Sequence, residues 1–169
     1  MTSRLLVDKI EGKTTSGTIQ MPSGHVVQTV QNNSNAQGTT TTTSTSFTEA
    51  DTDFRTSITP KFSNSKILFW CKIGIGVENN GSNDARAGVQ LYDVTGSAAV
   101  SDTATEIRCY DYGGSGLYMQ IGTAFDLMMD SWGTTSKTFT FQVKKVAGDT
   151  VRINDENNAT SITIQEIAQ

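Results

Sequence analysis

Charge, proline, cysteine and histidine are all in short supply in this chain, and each shortage closes off a class of protein. Charged residues make up 18% of the 169 positions and the formal net charge is −4. A broad basic surface for a DNA or RNA backbone is therefore not expected. Two cysteines, Cys71 and Cys109, make no disulfide framework in a chain of this length. No apolar run approaches the roughly 18 residues that a membrane-spanning helix requires, so no membrane insertion is expected. The opening MTSRLLVDKIEGK interrupts its short apolar stretch with charge and does not read as a secretory signal. Proline occurs only at Pro22 and Pro60, so little prevents long β-ladders.

What fills the gap is uncharged hydrogen-bonding residues: Thr, Ser, Asn, Gln and Gly. From Phe47 onward apolar and polar residues alternate, the pattern of half-buried strands. Ile67, Phe69, Cys71, Ile73, Ile75 and Val77 form one apolar row in KILFWCKIGIGV, and Ala85, Ala87, Val89 and Leu91 another in ARAGVQLY. TDFRTSI, with Phe54, Thr56 and Ile58 inward, is expected as a strand closed by Pro60; TEIRCY offers Ile107 and Cys109. LYMQIGTAFDLMM keeps a two-residue period from Leu117 to Met129, which an α-helix would not sustain. Phe139, Phe141 and Val143, then Val151 and Ile153, then Ile162 and Ile164 mark the last strands. Roughly eight or nine strands joined by turn-rich loops predict an all-β, jelly-roll-like antiparallel sandwich over residues 47–169.

Residues 1–46 are expected to be an N-terminal arm of short strands ending in the low-complexity stretch NNSNAQGTTTTTSTS. Leu5, Leu6, Val7, Ile10, Ile19 and Met21 are its apolar contacts, which would dock residues 1–24 onto another protein. The alternative is a disordered tail, since termini are commonly loose.

Reactive constellations are not legible. A nucleophilic site would have to use the single histidine, His25, whose surroundings MPSGHVVQ resemble no nucleophile elbow and suit a strand-edge residue. No local spacing pairs two carboxylates for glycoside hydrolysis. ENNGSND and INDENN carry oxygen ligands but do not fit the twelve-residue calcium loop, and GGSG lacks the context of a phosphate-binding loop. Cys71 and Cys109 read as buried small hydrophobes, with a disulfide across facing strands as the alternative. The expectation is a protein without catalytic residues, cofactor or metal.

Two surface features remain. Leu68 and Trp70 alternate out of phase with the core row, which marks either a subunit interface or a face covered by HVVQTVQ of the same chain. Tyr110, Asp111, Tyr112 and Tyr118 cluster in CYDYGGSGLY, a composition suited to recognition or, equally, to a solvated loop.

Three segments together carry a resemblance. LLVDKIEGKTTSGTIQMPSGHVVQTVQ, TSFTEADTDFRTSITPKFSNSKILFWCKIGIG and TSITIQEIAQ resemble the opening, first β-domain strands and closing strand of small fibre-like virion structural proteins of tailed phages, of marine and cyanobacterial type. The resemblance implies a homotrimer of jelly-roll domains, located in the virion after assembly in the host cytoplasm. It implies attachment to another virion protein through the arm and contact with a host surface glycan or envelope protein. No long repetitive shaft is present, so the chain resembles a fibre tip, a short spike or a capsid knob, with a capsid decoration protein and a free lectin-like module as alternatives.

Overall fold

The computed structural model describes residues 23–34, 40–81, 84–110, 116–154 and 160–169. The strands in chain order are β1 (Val26–Ser34), β2 (Thr40–Thr42), β3 (Thr48–Glu49), β4 (Thr56–Ile58), β5 (Lys66–Asn79) and β6 (Asp84–Asp93). They continue with β7 (Ala98–Ala99), β8 (Thr105–Tyr110), β9 (Leu117–Asp130), β10 (Lys137–Ala147), β11 (Thr150–Ile153) and β12 (Thr160–Ile167). The chain is all-β, as the alternation predicts, and its strands form two antiparallel sheets in a jelly-roll sandwich.

The first sheet is built around β5, whose fourteen residues pair with β9 along one edge. Its other edge is shared: β12 covers Lys66 to Lys72 and β11 covers Ile75 to Glu78. β1 lies outside β12 and β2 outside β11. The second sheet centres on β10 and β6, with β3 and β4 beyond β10 and β7 and β8 beyond β6. Nearly every partner is distant in sequence, so the sandwich is held by non-local pairing.

The odd-numbered row of β5 and the apolar rows of β6, β10, β11 and β12 meet between the sheets and are almost wholly buried. Phe69 meets Phe139 edge-on at 4.8 Å between ring centres, and Phe141 receives Phe54 at 6.2 Å and Phe125 at 6.1 Å. Such edge contacts add to the area each ring removes from water.

Two local expectations change. Phe54, Thr56 and Ile58 point inward as the period requires, but Thr52–Phe54 is a 3-10 turn and only Thr56–Ile58 is strand. The Asp51 carboxylate, which accepts the Asp53 N–H at 2.9 Å, caps that turn and offers the backbone an alternative to the ladder. The boundary at residue 47 also moves. β1 and β2 belong to the first sheet, so the sandwich takes in Val26–Ser34 and Thr40–Thr42 rather than leaving them in an arm. β-branched Thr suits an extended backbone, and the strand Val151–Ile153 supplies the partner. Residues 1–22, with Leu5, Leu6, Val7, Ile10, Ile19 and Met21, lie outside the described residues.

Candidate functional site

The two long sides of the sandwich are finished differently, and that difference locates the site. On the β1 side, side chains lace the sheets together. The Asn32 amide donates to the carbonyls of Asp53 at 2.7 Å and Arg55 at 3.2 Å, and Gln28 donates to the Thr59 carbonyl at 2.8 Å. Thr40 adds a bond to the Asp51 carboxylate at 3.1 Å.

At the end of this seam lies a group that the sequence reading passed over. Glu166 is fully buried on the same inward row as Ile162 and Ile164. Its carboxylate accepts the N–H groups of Lys61 (2.8 and 2.9 Å) and Phe62 (2.9 Å), the Ser65 hydroxyl (2.8 Å) and the Gln28 amide (2.7 Å). Burial by itself raises the pKa of a carboxyl. These donors outweigh it and hold Glu166 below its ordinary value. The signal available in TSITIQEI was the acidic residue standing in an apolar phase.

The opposite side is open. β9 has β5 on one edge and no strand alongside its other edge among the described residues. Its inward side chains Met119, Ile121, Phe125, Leu127 and Met129 pack against the core yet remain only partly buried. Facing them across the seam, Cys109 Sγ lies 3.6 Å from Met119 Sδ. Further along, a cavity of about 350 Å³ opens between β9 and the β7 segment, lined by Ala98, Ala99, Val100, Leu127, Met129 and Phe139. Met128, Asp93, Ser101, Asp102 and Lys137 also line it, and Lys137 Nζ lies 2.6 Å from Asp93 Oδ2. An edge strand of this length is a template for association unless something covers it.

Around the corner from that edge, the outer face of the first sheet carries Leu68, Trp70 and Met128. Leu68 is partly buried, with Met128 of β9 and Gln165 of β12 directly opposite. Trp70 stands between Asp126 and Thr163 and is 53% exposed, and Met128 is 56% exposed. The segment HVVQTVQ does not cover this face: β1 lies in the same sheet, beyond β12. Lys66 pairs with Asp130 at the end of this face, and Lys72, Ala124 and Asp126 surround the Trp70 depression of about 300 Å³.

The tyrosines do not converge. Tyr110 is exposed at the end of β8 in the second sheet, with Arg108 over its ring at 5.6 Å. Tyr118 lies on the outer face of the first sheet, under Arg152 at 5.7 Å and against Gly76. Asp111 and Tyr112 lie outside the described residues. Cys71 and Cys109 are buried and not joined to each other, so the disulfide alternative is not formed, and burial pushes the Cys71 thiol up to about 12. His25 is exposed beside β1, its carbonyl accepting the Ala168 N–H at 2.8 Å. Among the described residues no three His, Cys, Asp or Glu side chains gather as a metal site, and no helix is long and apolar enough to cross a membrane.

No family model matches the chain, and no curated protein matches it. Solved structures resemble it at low identity. Eiger TNF from S. frugiperda is 9% identical with a TM-score of 0.48, over 83% of this chain and 92% of that one. A structure of infectious bursal disease virus, Gx strain, is 16% identical with a TM-score of 0.39, and this chain, covered over 99% of its length, spans 36% of it. The CBM36-1 domain of a multidomain xylanase from the hindgut metagenome of Trinervitermes trinervoides is 17% identical with a TM-score of 0.28, over 81% and 94%.

Proposed function

We propose that this chain is a non-catalytic structural subunit of a phage particle, a short fibre, spike or fibre tip that assembles with copies of itself as a homotrimer. In this reading residues 1–24 attach it to another virion protein, and its loops meet a host surface glycan or envelope protein. The observation that carries it is the open side of the sandwich: a fourteen-residue strand, β9, with no strand along its outer edge among the described residues, Met128 exposed on its outer face and an inward apolar row only partly buried. A lone sandwich leaves that surface in water, and closed symmetric assembly covers it. The sequence resemblance to phage fibre proteins supplies the virion setting, and the laced β1 seam supports a rigid building block.

An antibody raised against the purified chain tests the virion claim. It is expected to label purified phage particles at a discrete projection, and the free protein is expected to slow adsorption of those particles to their host. Particles that carry no label would overturn the virion reading.

A further inference from the structure

Six residues around Trp70 form a grid across three neighbouring strands of the first sheet. Thr163, Trp70 and Asp126 lie directly opposite one another on β12, β5 and β9, and Ser161, Lys72 and Ala124 make the next row. All six line the shallow depression of about 300 Å³, the size at which small-molecule sites begin. With strands about 4.8 Å apart, each row is about 10 Å wide, enough for one sugar ring. Gly122 lies two residues from Ala124 on β9, and a Cβ there would meet only Lys72 Cε at 3.9 Å. The floor beyond Lys72 is therefore low and open.

The fold leaves the polar groups around Trp70 without partners. Among the described residues no hydrogen bond or ion pair engages the side chains of Trp70, Lys72, Asp126, Ser161 or Thr163. Elsewhere on the same face charges are paired, Lys66 with Asp130 and Arg152 with Glu78 at 2.7 Å. An exposed indole flanked by an unpaired cation, an unpaired carboxylate and two hydroxyls matches the surface of a sugar. The C–H groups of a pyranose pack on an aromatic ring, whose face is negative. Its hydroxyls both donate and accept, so one ligand satisfies Asp126 and Lys72 together. A protein partner fits less well. Interface centres are depleted in Lys and Asp, and burying either without a counterpart is costly. The charges of Lys72 and Asp126 sum to zero, so an acidic sugar would lose at the carboxylate what it gains at the ammonium.

We propose that this depression binds a neutral hexopyranose, one ring stacked on the Trp70 indole, with Asp126 accepting from its hydroxyls and Lys72 donating to them. Such a site rests on the host-glycan contact of the proposed function and adds a sheet-face position to the loops. Met128 and the outer edge of β9 lie outside the depression and stay available for assembly.

The test is retention of the full chain on immobilised oligomers of glucose, galactose, mannose and N-acetylglucosamine, with polygalacturonate as the charged counterpart. At least one neutral oligomer is expected to bind, and to bind more tightly than polygalacturonate. Trp70→Ala is expected to abolish that binding and Trp70→Phe to keep part of it. Asp126→Asn and Lys72→Met should each weaken it about tenfold, the effect of losing a charge-assisted hydrogen bond. All three positions are exposed, and an unchanged circular dichroism spectrum separates lost binding from a lost fold. No retention on any neutral oligomer, or a preference for polygalacturonate, would overturn the proposal. So would full retention of Trp70→Ala, which would move the glycan to the loops and leave the proposed function standing. Sugar binding that depends on Trp70, in a protein that does not slow phage adsorption, supports the site and counts against the host-contact reading alone.

Discussion

Glu166 shows how much one side chain can tie together. Its carboxylate joins β12 to β1 through Gln28 and to the Lys61–Ser65 segment through backbone and hydroxyl donors. Glu166→Gln puts an amide N–H₂ where donors converge. It is expected to lower the unfolding free energy at pH 7 by about 2–3 kcal/mol, read from urea denaturation. The pH dependence has a definite sign. The folded-state pKa lies below the unfolded one, so the contribution is complete above about pH 4.3, the unperturbed glutamate value, and disappears as pH falls through the folded pKa. The unsubstituted chain should therefore lose stability more steeply than Glu166→Gln between that pH and strong acid. Gly148 is the second singular residue. Its φ is +89°, and an added Cβ would lie 2.8 Å from the Glu78 carbonyl oxygen. Gly148→Ala combines backbone strain with a clash and is expected to cost at least about 1–3 kcal/mol in the same denaturation measurement.

At the scale of elements, what alternation could see was the long strands. β5, β6, β8, β9, β10 and β12 are legible because every second residue of each continues one apolar row over six residues or more. β2, β3 and β7 are two or three residues long and carry Thr, Glu or Ala, so they offer no period to detect and form because a neighbour is already in place. The turn at Thr52–Phe54 kept the inward phase of a strand and was hidden by it. Leu68 and Trp70 were legible as outward, since the core row of β5 fixes the other phase, but which segment covered them was not, because β1 pairs through β12 on a register that sequence does not show. The laced seam is likewise invisible until β1 is placed. Asn32→Ala removes two bonds to the main chain and is expected to cost about 1–2 kcal/mol. Hydrogen exchange should rise first in β1 and the Thr52–Ile58 segment; a uniform rise across both sheets would mean that Asn32 has no local clasp role.

For the whole molecule, the account turns on asymmetry between the two seams. One is sealed by side-chain hydrogen bonds within the chain, and the other ends in an edge strand and an apolar cavity beside an exposed tryptophan. Burying Met128 and Leu68 between copies would contribute roughly 1.5–3 kcal/mol for each side chain. Met128→Asp is expected to leave each sandwich folded, with an unchanged far-ultraviolet circular dichroism spectrum, and to yield single chains in place of assemblies. The most direct measurement is the native mass of the full chain by light scattering across a range of concentrations. A mass near 55 kDa, three times 18.2 kDa, held on dilution, is the expected outcome. A mass of one chain at every concentration would contradict the proposal that this sandwich is built to assemble with itself.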